Sequence, residues 1–248
     1  MPVKARYEPV RITPIEKIRW PLQLLLYFSF LFFLQQPLFA QSPNQLINGV
    51  NEKFKKVNDY TAAVKVACDI PFIRIDPING KVYYKKPDHF KVKSTGILIL
   101  PKQNINFYYS AIADTSNYTA VKSGEEVIGG KKTQVISVIP HTDTSDLVLG
   151  KFWIDETESL VLKSQLTTKS QGTILIEEFY SDMKQYALPE KMIFTVDVQK
   201  FKVPKIIAVD INKTATADKN AAKDQKGKIT LTFSGYAVNK GIDNNVFK

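Results

Sequence analysis

Two histidines are the residues whose chemistry best fits catalysis or metal binding. His141 opens the segment HTDTSDL, in which Asp143 and Asp146 follow it. Imidazole and carboxylate groups bind Zn²⁺, so this segment is a candidate metal site. Three ligands within seven residues, with no second histidine among them, form a weak pattern, and a polar loop is the favoured interpretation. His89 falls on the lysine-rich side of a predicted strand.

Other catalytic patterns are incomplete. In GEEVIGGKK, Gly124 and Gly129 have the separation of a phosphate loop, but Gly130 stands where lysine is required and a strand follows. The sequence has no G-x-S-x-G, C-x-x-C or H-E-x-x-H motif. Glu177 and Glu178 are neighbours on a predicted strand, so they point to opposite faces and cannot form an acid–base pair. We therefore expect a protein without enzymatic activity, cofactor or metal.

The N-terminus indicates export. Lys17 and Arg19 precede the apolar run LQLLLYFSFLFFL at 22–34, and LFA ends at Ala40. This is the layout of a secretory signal, and the run is shorter than the roughly 20 residues that span a bilayer. We predict a signal peptide over residues 1–40 that is cleaved. An uncleaved anchor is the alternative.

Composition limits the possible partners. Residues 1–40 hold five of the 34 basic and two of the 24 acidic side chains, which leaves a net charge of +7 on the remaining 208 residues. A basic exported protein meets anionic envelope surfaces rather than nucleic acid, although a solvated lysine-rich surface is the simpler interpretation. Cys68 is the only cysteine and lies far from the cleavage site, so we expect neither a disulfide nor lipid modification.

A helix is predicted at the start of the mature chain. Ser42 suits the N-cap, Pro43 the first turn, and Gln45 completes a capping box. An apolar stripe follows at spacings of four, four and three, and Asn58-Asp59 is expected to end the helix. The stripe consists of Leu46, Val50, Phe54 and Val57.

Alternating strands dominate the chain from Tyr60 on, beginning where Ala62, Val64 and Val66 alternate with Ala63, Lys65 and Ala67. In NGKVYYKKPDHFKVKSTG, apolar and lysine positions alternate on either side of a turn at Pro87-Asp88. Lysines on the solvent-exposed face of a half-buried antiparallel sheet are explained by exposure alone, so the pattern does not indicate nucleic-acid binding. Further strands are predicted at 96–100, 105–110, 119–122, 126–128, 133–139, 151–155, 160–168, 173–180, 191–198, 206–211 and 229–233, with a tight hairpin at Gly129-Gly130 and a mobile insertion at 214–228.

These elements predict an α+β fold. Many sequential strands favour one large curved antiparallel sheet or barrel, and residues 41–248 form a single domain. One amphipathic helix covers only part of such a sheet. Either the sheet closes on itself or it keeps an apolar hollow.

Several motifs, in this order, resemble the periplasmic lipoprotein-carrier fold of Gram-negative bacteria, a group of carrier, receptor and sigma-factor-regulator proteins. The motifs are LINGVNEKFKKVNDYTA, GKVYYKKPDHFKV, KFWIDETESLVLKSQL, LPEKMIFT and TLTFSGYAVNKGI. The resemblance implies an unclosed antiparallel β-barrel with helices as a lid over an apolar cavity for acyl chains, in the periplasm. The family carrier has an arginine before the proline of the turn, which hydrogen-bonds the lid. Here that position is Lys86, which lacks the planar five-donor fork, so a lock of the carrier type is in question.

The resemblance and the alternation together define a candidate lipid site. The residues expected to line the cavity are Val50, Phe54, Val82, Tyr84, Phe90, Val92 and Trp153, with Lys86 as the lid contact. For each of them, ordinary core packing is the alternative.

We expect a monomeric periplasmic carrier that binds lipoprotein acyl chains or lipids. Its implied partners are donor and acceptor proteins at the inner and outer membranes. An envelope sensor or scaffold that binds a protein with the same fold is the first alternative, and an enzyme on a barrel-like sheet is the second. Nucleic acid is not expected as a partner.

Overall fold

The computed structural model describes residues 42–70, 76–96, 112–170, 172–197 and 226–248. Helix α1, Pro43–Phe54, begins as predicted. The main-chain N–H of Ser42 donates to Gln45 Oε1 at 2.9 Å, and the N–H of Gln45 donates to Ser42 Oγ at 3.2 Å. Both bonds of the capping box are therefore present, and they satisfy donors that the first helical turn leaves free.

The helix ends earlier than predicted. Its last residue is Phe54, four residues before Asn58. The N–H groups of Lys56 and Val57 donate to the carbonyls three residues back, at 3.2 and 2.9 Å, so the last turn tightens and the chain leaves the helix. Val57 is fully buried, but outside α1.

One antiparallel sheet contains ten strands within the described residues, in the order β3-β2-β1-β10-β9-β8-β7-β6-β5-β4. No pairing among these strands joins β3 to β4, so the described sheet is open, which confirms the predicted large antiparallel sheet. The strands are β1 (Asp59–Asp69), β2 (Ile78–Lys85), β3 (His89–Ser94), β4 (Tyr118–Ile128), β5 (Lys131–Pro140), β6 (Leu147–Asp155), β7 (Leu160–Thr168), β8 (Gly172–Phe179), β9 (Lys191–Asp197) and β10 (Lys226–Val238).

Three strands differ from their predicted bounds by more than two residues. The segments predicted at 119–122 and 126–128 form one strand, β4, because an irregularity between Lys122 and Gly124 shifts the register without breaking the pairing with β5. Strand β6 begins at Leu147, and β10 begins at Lys226, inside the predicted insertion. The predicted signal peptide, most of the insertion, and the strands at 105–110 and 206–211 lie outside the described residues, as does most of the strand at 96–100.

The sheet has an apolar inner face and a polar outer face. In β1, Tyr60, Ala62, Val64 and Val66 are buried while Ala63 and Lys65 are exposed, which is the period of two expected from the sequence. We call the face with Tyr60 the inner face. Leu46, Ile47 and Val50 of α1 belong to the same hydrophobic cluster as the inner-face residues.

Two single features complete the description of the fold. Cys68 is partly exposed and packs against the core, and burial raises the pKa of its thiol. Among the described residues, no helix combines the length and apolarity needed to cross a membrane.

Candidate functional site

The C-terminal end of α1 meets the inner face of β2, which lies between β1 and β3. The strand register places Tyr84 opposite Tyr60 and Phe90, and Val82 opposite Ala62 and Val92. Directly opposed residues share one face of a sheet, so all of these side chains point the same way. Val82 and Tyr84 are buried, whereas Phe90 and Val92 are partly buried at the edge strand.

Helix α1 adds two predicted residues to this surface. Val50 is fully buried in the cluster, and Phe54 packs against it. The rings of Phe54 and Tyr84 are 5.5 Å apart between centroids, in a tilted arrangement typical of aromatic pairs. Thus six of the seven predicted cavity residues belong to one cluster, while their contact with a ligand stays a prediction.

A row of aromatic rings extends the surface beyond the predicted set. Tyr60 lies between Tyr84 and Tyr236, with centroid distances of 5.3 and 5.6 Å, and Phe233 is 6.0 Å from Tyr236. Tyr60 and Phe233 lie on strands that the sequence predicted, but only the pairing of β1 with both β2 and β10 brings the four rings together. Tyr236 follows a bend at Gly235, whose φ of 61° favours glycine.

The phenols of this aromatic surface are uncharged. A tyrosine with its usual pKa of about 10 is already neutral at physiological pH. Burial raises the pKa of the Tyr60 phenol far above that range, and the pKa of Tyr84 is raised by burial and then by the nearby carboxylate of Asp88. Such a surface suits aliphatic chains better than ions.

Trp153 is separate from the other predicted cavity residues. Phe152 and Ile154, its neighbours along β6, belong to the core cluster, so Trp153 points to the outer face. Its indole N–H donates to Glu126 Oε2, and the ammonium of Lys163 lies 4.3 Å from the ring centroid. The structure therefore does not place Trp153 with the other six, because adjacent strand residues face opposite ways.

Lys86 holds the end of α1 to the β2–β3 turn. Its ammonium donates to the main-chain oxygen of Lys55 at 2.6 Å and lies 3.4 Å from Asn58 Oδ1. The main-chain N–H of Lys86 also donates to the carbonyl of Asn58 at 2.9 Å. The ammonium of Lys86 thus contacts the C-terminal cap of α1 as a single charged group, without the planar set of donors that an arginine would offer. Whether they act as a lock stays a prediction.

Two polar contacts that the sequence did not indicate hold the middle of α1. Asn51 is buried, and its side-chain amide donates to the carbonyl of Ile112 at 2.6 Å. The ammonium of Lys53 donates to the main-chain oxygen of Glu158 in the β6–β7 turn. Neither contact has a local sequence signal, because each joins residues more than 60 positions apart.

Gly49 allows α1 to approach that turn closely. A Cβ atom at position 49 would lie 2.8 Å from the Oγ and 3.1 Å from the Cβ of Ser159. Both distances are closer than normal side-chain contacts, so only glycine fits without a shift. The β6–β7 turn therefore meets α1 through the side chain of Ser159 at Gly49 as well as through Lys53.

The two histidines weighed as catalytic or metal-binding candidates make separate contacts. His141 Nε2 is 2.9 Å from Thr119 Oγ1, and its Nδ1 is 3.1 Å from the carbonyl oxygen of Ser116, an arrangement typical of a loop contact. His89 packs against Phe247 on the outer face. Within the described ranges, no group of three His, Cys, Asp or Glu side chains is placed to hold a metal ion.

The adjacent glutamates Glu177 and Glu178 face opposite sides of β8, as predicted. Glu178 is buried opposite Met192 on the inner face and accepts a hydrogen bond from Tyr180 Oη at 2.6 Å. Glu177 is partly exposed opposite Lys163. An acid–base pair between the two carboxylates is therefore excluded by the strand geometry.

Comparison with known proteins agrees with this geometry. The family model of the MucB/RseB N-terminal domain matches residues 81–188, which include β4 to β8. No protein of curated function matches the chain. Solved structures give the broader match. A domain from Vibrio parahaemolyticus assigned as an outer membrane lipoprotein-sorting protein superposes with a TM-score of 0.55 at 10% identity, over 83% of this chain and 96% of that one.

The chain has the lipoprotein-sorting fold. A LolA superfamily protein from Nitrosomonas europaea gives a TM-score of 0.54 at 11% identity, over 84% of this chain and 98% of that one. A DUF1329 family protein from Desulfovibrio piger gives 0.53 at 9% identity, with the same coverage of both chains. The resemblance inferred from the sequence motifs is thus confirmed. Identities this low establish the lipoprotein-sorting fold alone, so individual residue roles depend on the geometry of this chain.

Proposed function

We propose that this protein is a non-enzymatic periplasmic carrier that binds the acyl chains of lipoproteins or lipids between α1 and the inner face of β1–β3. The observation that supports this proposal is the contact of Phe54 with Tyr84 over an uncharged row of aromatic rings. The carrier would receive its cargo from a protein at the inner membrane and deliver it at the outer membrane.

In this proposal α1 acts as a lid that the cargo displaces. Ile47 and Val50 are fully buried, so in the present arrangement the helix itself covers the inner face. Burying such a side chain contributes about 1.5–3 kcal/mol, and the three buried apolar residues of α1 together contribute about 5–9 kcal/mol. Each buried methylene of an acyl chain contributes about 0.8 kcal/mol, so a chain of about twelve methylenes is enough to replace the helix.

Uptake of a fluorescent fatty acid by the full-length protein tests the carrier proposal. Phe54→Asp is expected to abolish uptake, because it places a carboxylate where the acyl chain would lie. Phe179→Asp is the matched control, since Phe179 is 43% exposed on the outer face of β8, and it should leave uptake unchanged. Equal uptake by the wild type and both folded variants would rule out the site under α1.

A second candidate function is an envelope sensor or scaffold that binds a protein partner. The match of residues 81–188 to the MucB/RseB N-terminal domain favours it. The two candidates differ in what the purified protein retains. Mass spectrometry that finds acyl lipid supports the carrier. A stable protein partner, with no lipid and no probe uptake, supports the sensor.

A further inference from the structure

Most of the outer face of β3, β2, β1 and β10 is basic and free of acidic side chains, and the exposed Asp69 lies beyond it at the end of β1. At the outward positions of residues 61–67, 79–85, 89–93 and 230–234, the strand register leaves no Asp or Glu. The basic side chains at these positions are Lys65, Lys81, Lys85, His89, Lys91 and Lys93. We call this surface the basic face.

The C-terminal segment occupies one side of the basic face. Lys85 donates to the carbonyl of Ile242 at 2.9 Å and to Asn244 Oδ1 at 2.7 Å, and Lys91 donates to the main-chain oxygen of Lys248 at 2.6 Å. The other side, with Lys65, Lys81 and Lys93, is exposed. In the part of the chain that the structure describes, none of these three lysines makes an ion pair.

Lys81 and Lys93 form a like-charge pair. They lie directly opposite each other in the β2–β3 register, and their ammonium groups are 5.5 and 5.6 Å from the ring centroid of Tyr83. Like charges at opposed positions of a sheet destabilise it, and the ring offsets only part of this effect. The fold therefore keeps an unfavourable pair that an external anion would stabilise.

Several exposed lysines elsewhere on the protein form ion pairs. Lys122 and Lys132 both pair with Glu125, at 2.7 and 3.2 Å, and Lys163 lies 3.5 Å from Glu126. Lys55 pairs with Glu52 at 2.7 Å. These lysines have a carboxylate partner on a neighbouring position, whereas Lys65, Lys81 and Lys93 have none among the described residues.

We infer that the basic face docks the protein on the anionic surface of a lipid bilayer. Strand positions two residues apart are separated by about 6.8 Å and neighbouring strands by about 4.8 Å, so the lysines form a regular grid on one face, and several of them can contact lipid phosphates at once. Lysine stems extend their ammonium groups toward phosphates, and tyrosine is enriched at the membrane interface.

Other anionic partners fit the basic face less well. A protein interface has apolar anchor residues at its centre, and between the lysines this face offers only small side chains such as Ala63 and Ala67, together with Tyr83. Single-stranded nucleic acid stacks successive bases on several aromatic rings, and the outward positions given above hold only Tyr83 and the imidazole of His89, which packs against Phe247.

Vesicle flotation with the full-length protein tests this inference. The K65Q/K81Q/K93Q variant is compared with K55Q/K122Q/K132Q, which removes the same charge from exposed lysines outside the basic face. One lysine near an anionic membrane corresponds to about a fivefold change in affinity, so the first variant should bind phosphatidylglycerol vesicles about a hundredfold more weakly. The control should stay within a few fold of wild type, and pure phosphatidylcholine vesicles should not distinguish the three proteins.

Three results would overturn the inference. An equal loss in both variants would mean that net charge alone drives binding, and no loss in either would exclude the basic face. An equally large effect of the first variant on binding of soluble polyglutamate or an oligonucleotide would indicate a soluble anionic partner. Urea unfolding checks the fold, because removing the opposed charges should leave K65Q/K81Q/K93Q at least as stable as wild type.

Discussion

Phe54, the last residue of α1, packs on Tyr84 of β2 with ring centroids 5.5 Å apart. This contact joins the end of the helix to the inner face next to the turn where Lys86 also meets the helix cap. The proposed lid is therefore held at its C-terminal end by the Phe54 ring and by Lys86. Its middle is held by the hydrogen bond of Asn51 and by the close approach at Gly49.

Removing the Phe54 ring should loosen the helix without unfolding the sheet. Phe54 is only partly buried, so Phe54→Ala is expected to lower the free energy of unfolding by about 2 kcal/mol, less than for a fully buried phenylalanine. Urea denaturation measures the change. Phe179→Ala, on the outer face, serves as the control and should cost less. An equal loss in both variants would argue against the Phe54–Tyr84 contact as a tie between helix and sheet.

Gly49→Ala tests the close contact of α1 with the β6–β7 turn. Alanine is favoured over glycine inside a helix by about 1 kcal/mol, but its Cβ would meet Ser159. We expect Gly49→Ala alone to be neutral or destabilising. In a Ser159→Gly background the obstacle is gone, and the φ of 46° at position 159 also favours glycine, so the same change should stabilise. A stabilising Gly49→Ala in the wild-type background would contradict the contact.

Substitutions that remove the amide donor of Asn51, or replace it by an acceptor, should destabilise the protein. Asn51→Ala removes the donor to Ile112 and is expected to cost about 1–3 kcal/mol, measured by thermal or urea unfolding. Asn51→Asp is nearly isosteric but directs a carboxylate at a carbonyl oxygen, so it should cost more than alanine. If Asn51→Asp were as stable as the wild type at neutral pH, the amide of Asn51 would not be the group that holds α1 at this position.

The β6–β7 turn should make stability depend on pH in the acid range. Glu158 accepts hydrogen bonds from Lys131 at 2.8 Å and Lys184 at 3.0 Å, and these bonds lower the pKa of its carboxyl below the usual value of about 4.5. A lowered pKa stabilises the fold above pH 4.5, and this stabilisation is lost as the pH falls below that value. Glu158→Gln should therefore be less stable than wild type at neutral pH.

The free energies of unfolding of the wild type and of Glu158→Gln should become equal as the pH falls. Free energies of unfolding measured from pH 7 to pH 3 test this directly. Because Glu158 is partly exposed, salt should reduce the difference at neutral pH. Parallel pH curves for the two proteins would show that the carboxylate of Glu158 does not hold the turn.

Local patterns were sufficient for much of the fold. The capping box at Ser42 and Gln45 is a contact between residues three apart, and it is present as predicted. The alternation of Val82 and Tyr84 with Lys81 and Lys85 correctly separated the two faces of β2. Both patterns depend only on backbone geometry that repeats every few residues, so the sequence alone contains them.

Tertiary structure decided which of these residues meet. Trp153 has the same apolar character as Phe54, but the position of β6 in the sheet turns Phe152 and Ile154 to the inner face and Trp153 to the outer one. The partners of Asn51 and Gly49 are distant in the chain, and no periodicity encodes such distances. The sequence therefore determined which elements form and which faces are apolar. The contacts that hold α1 on the sheet arise only when strand order and register bring distant segments together, because packing depends on three-dimensional neighbours rather than on spacing.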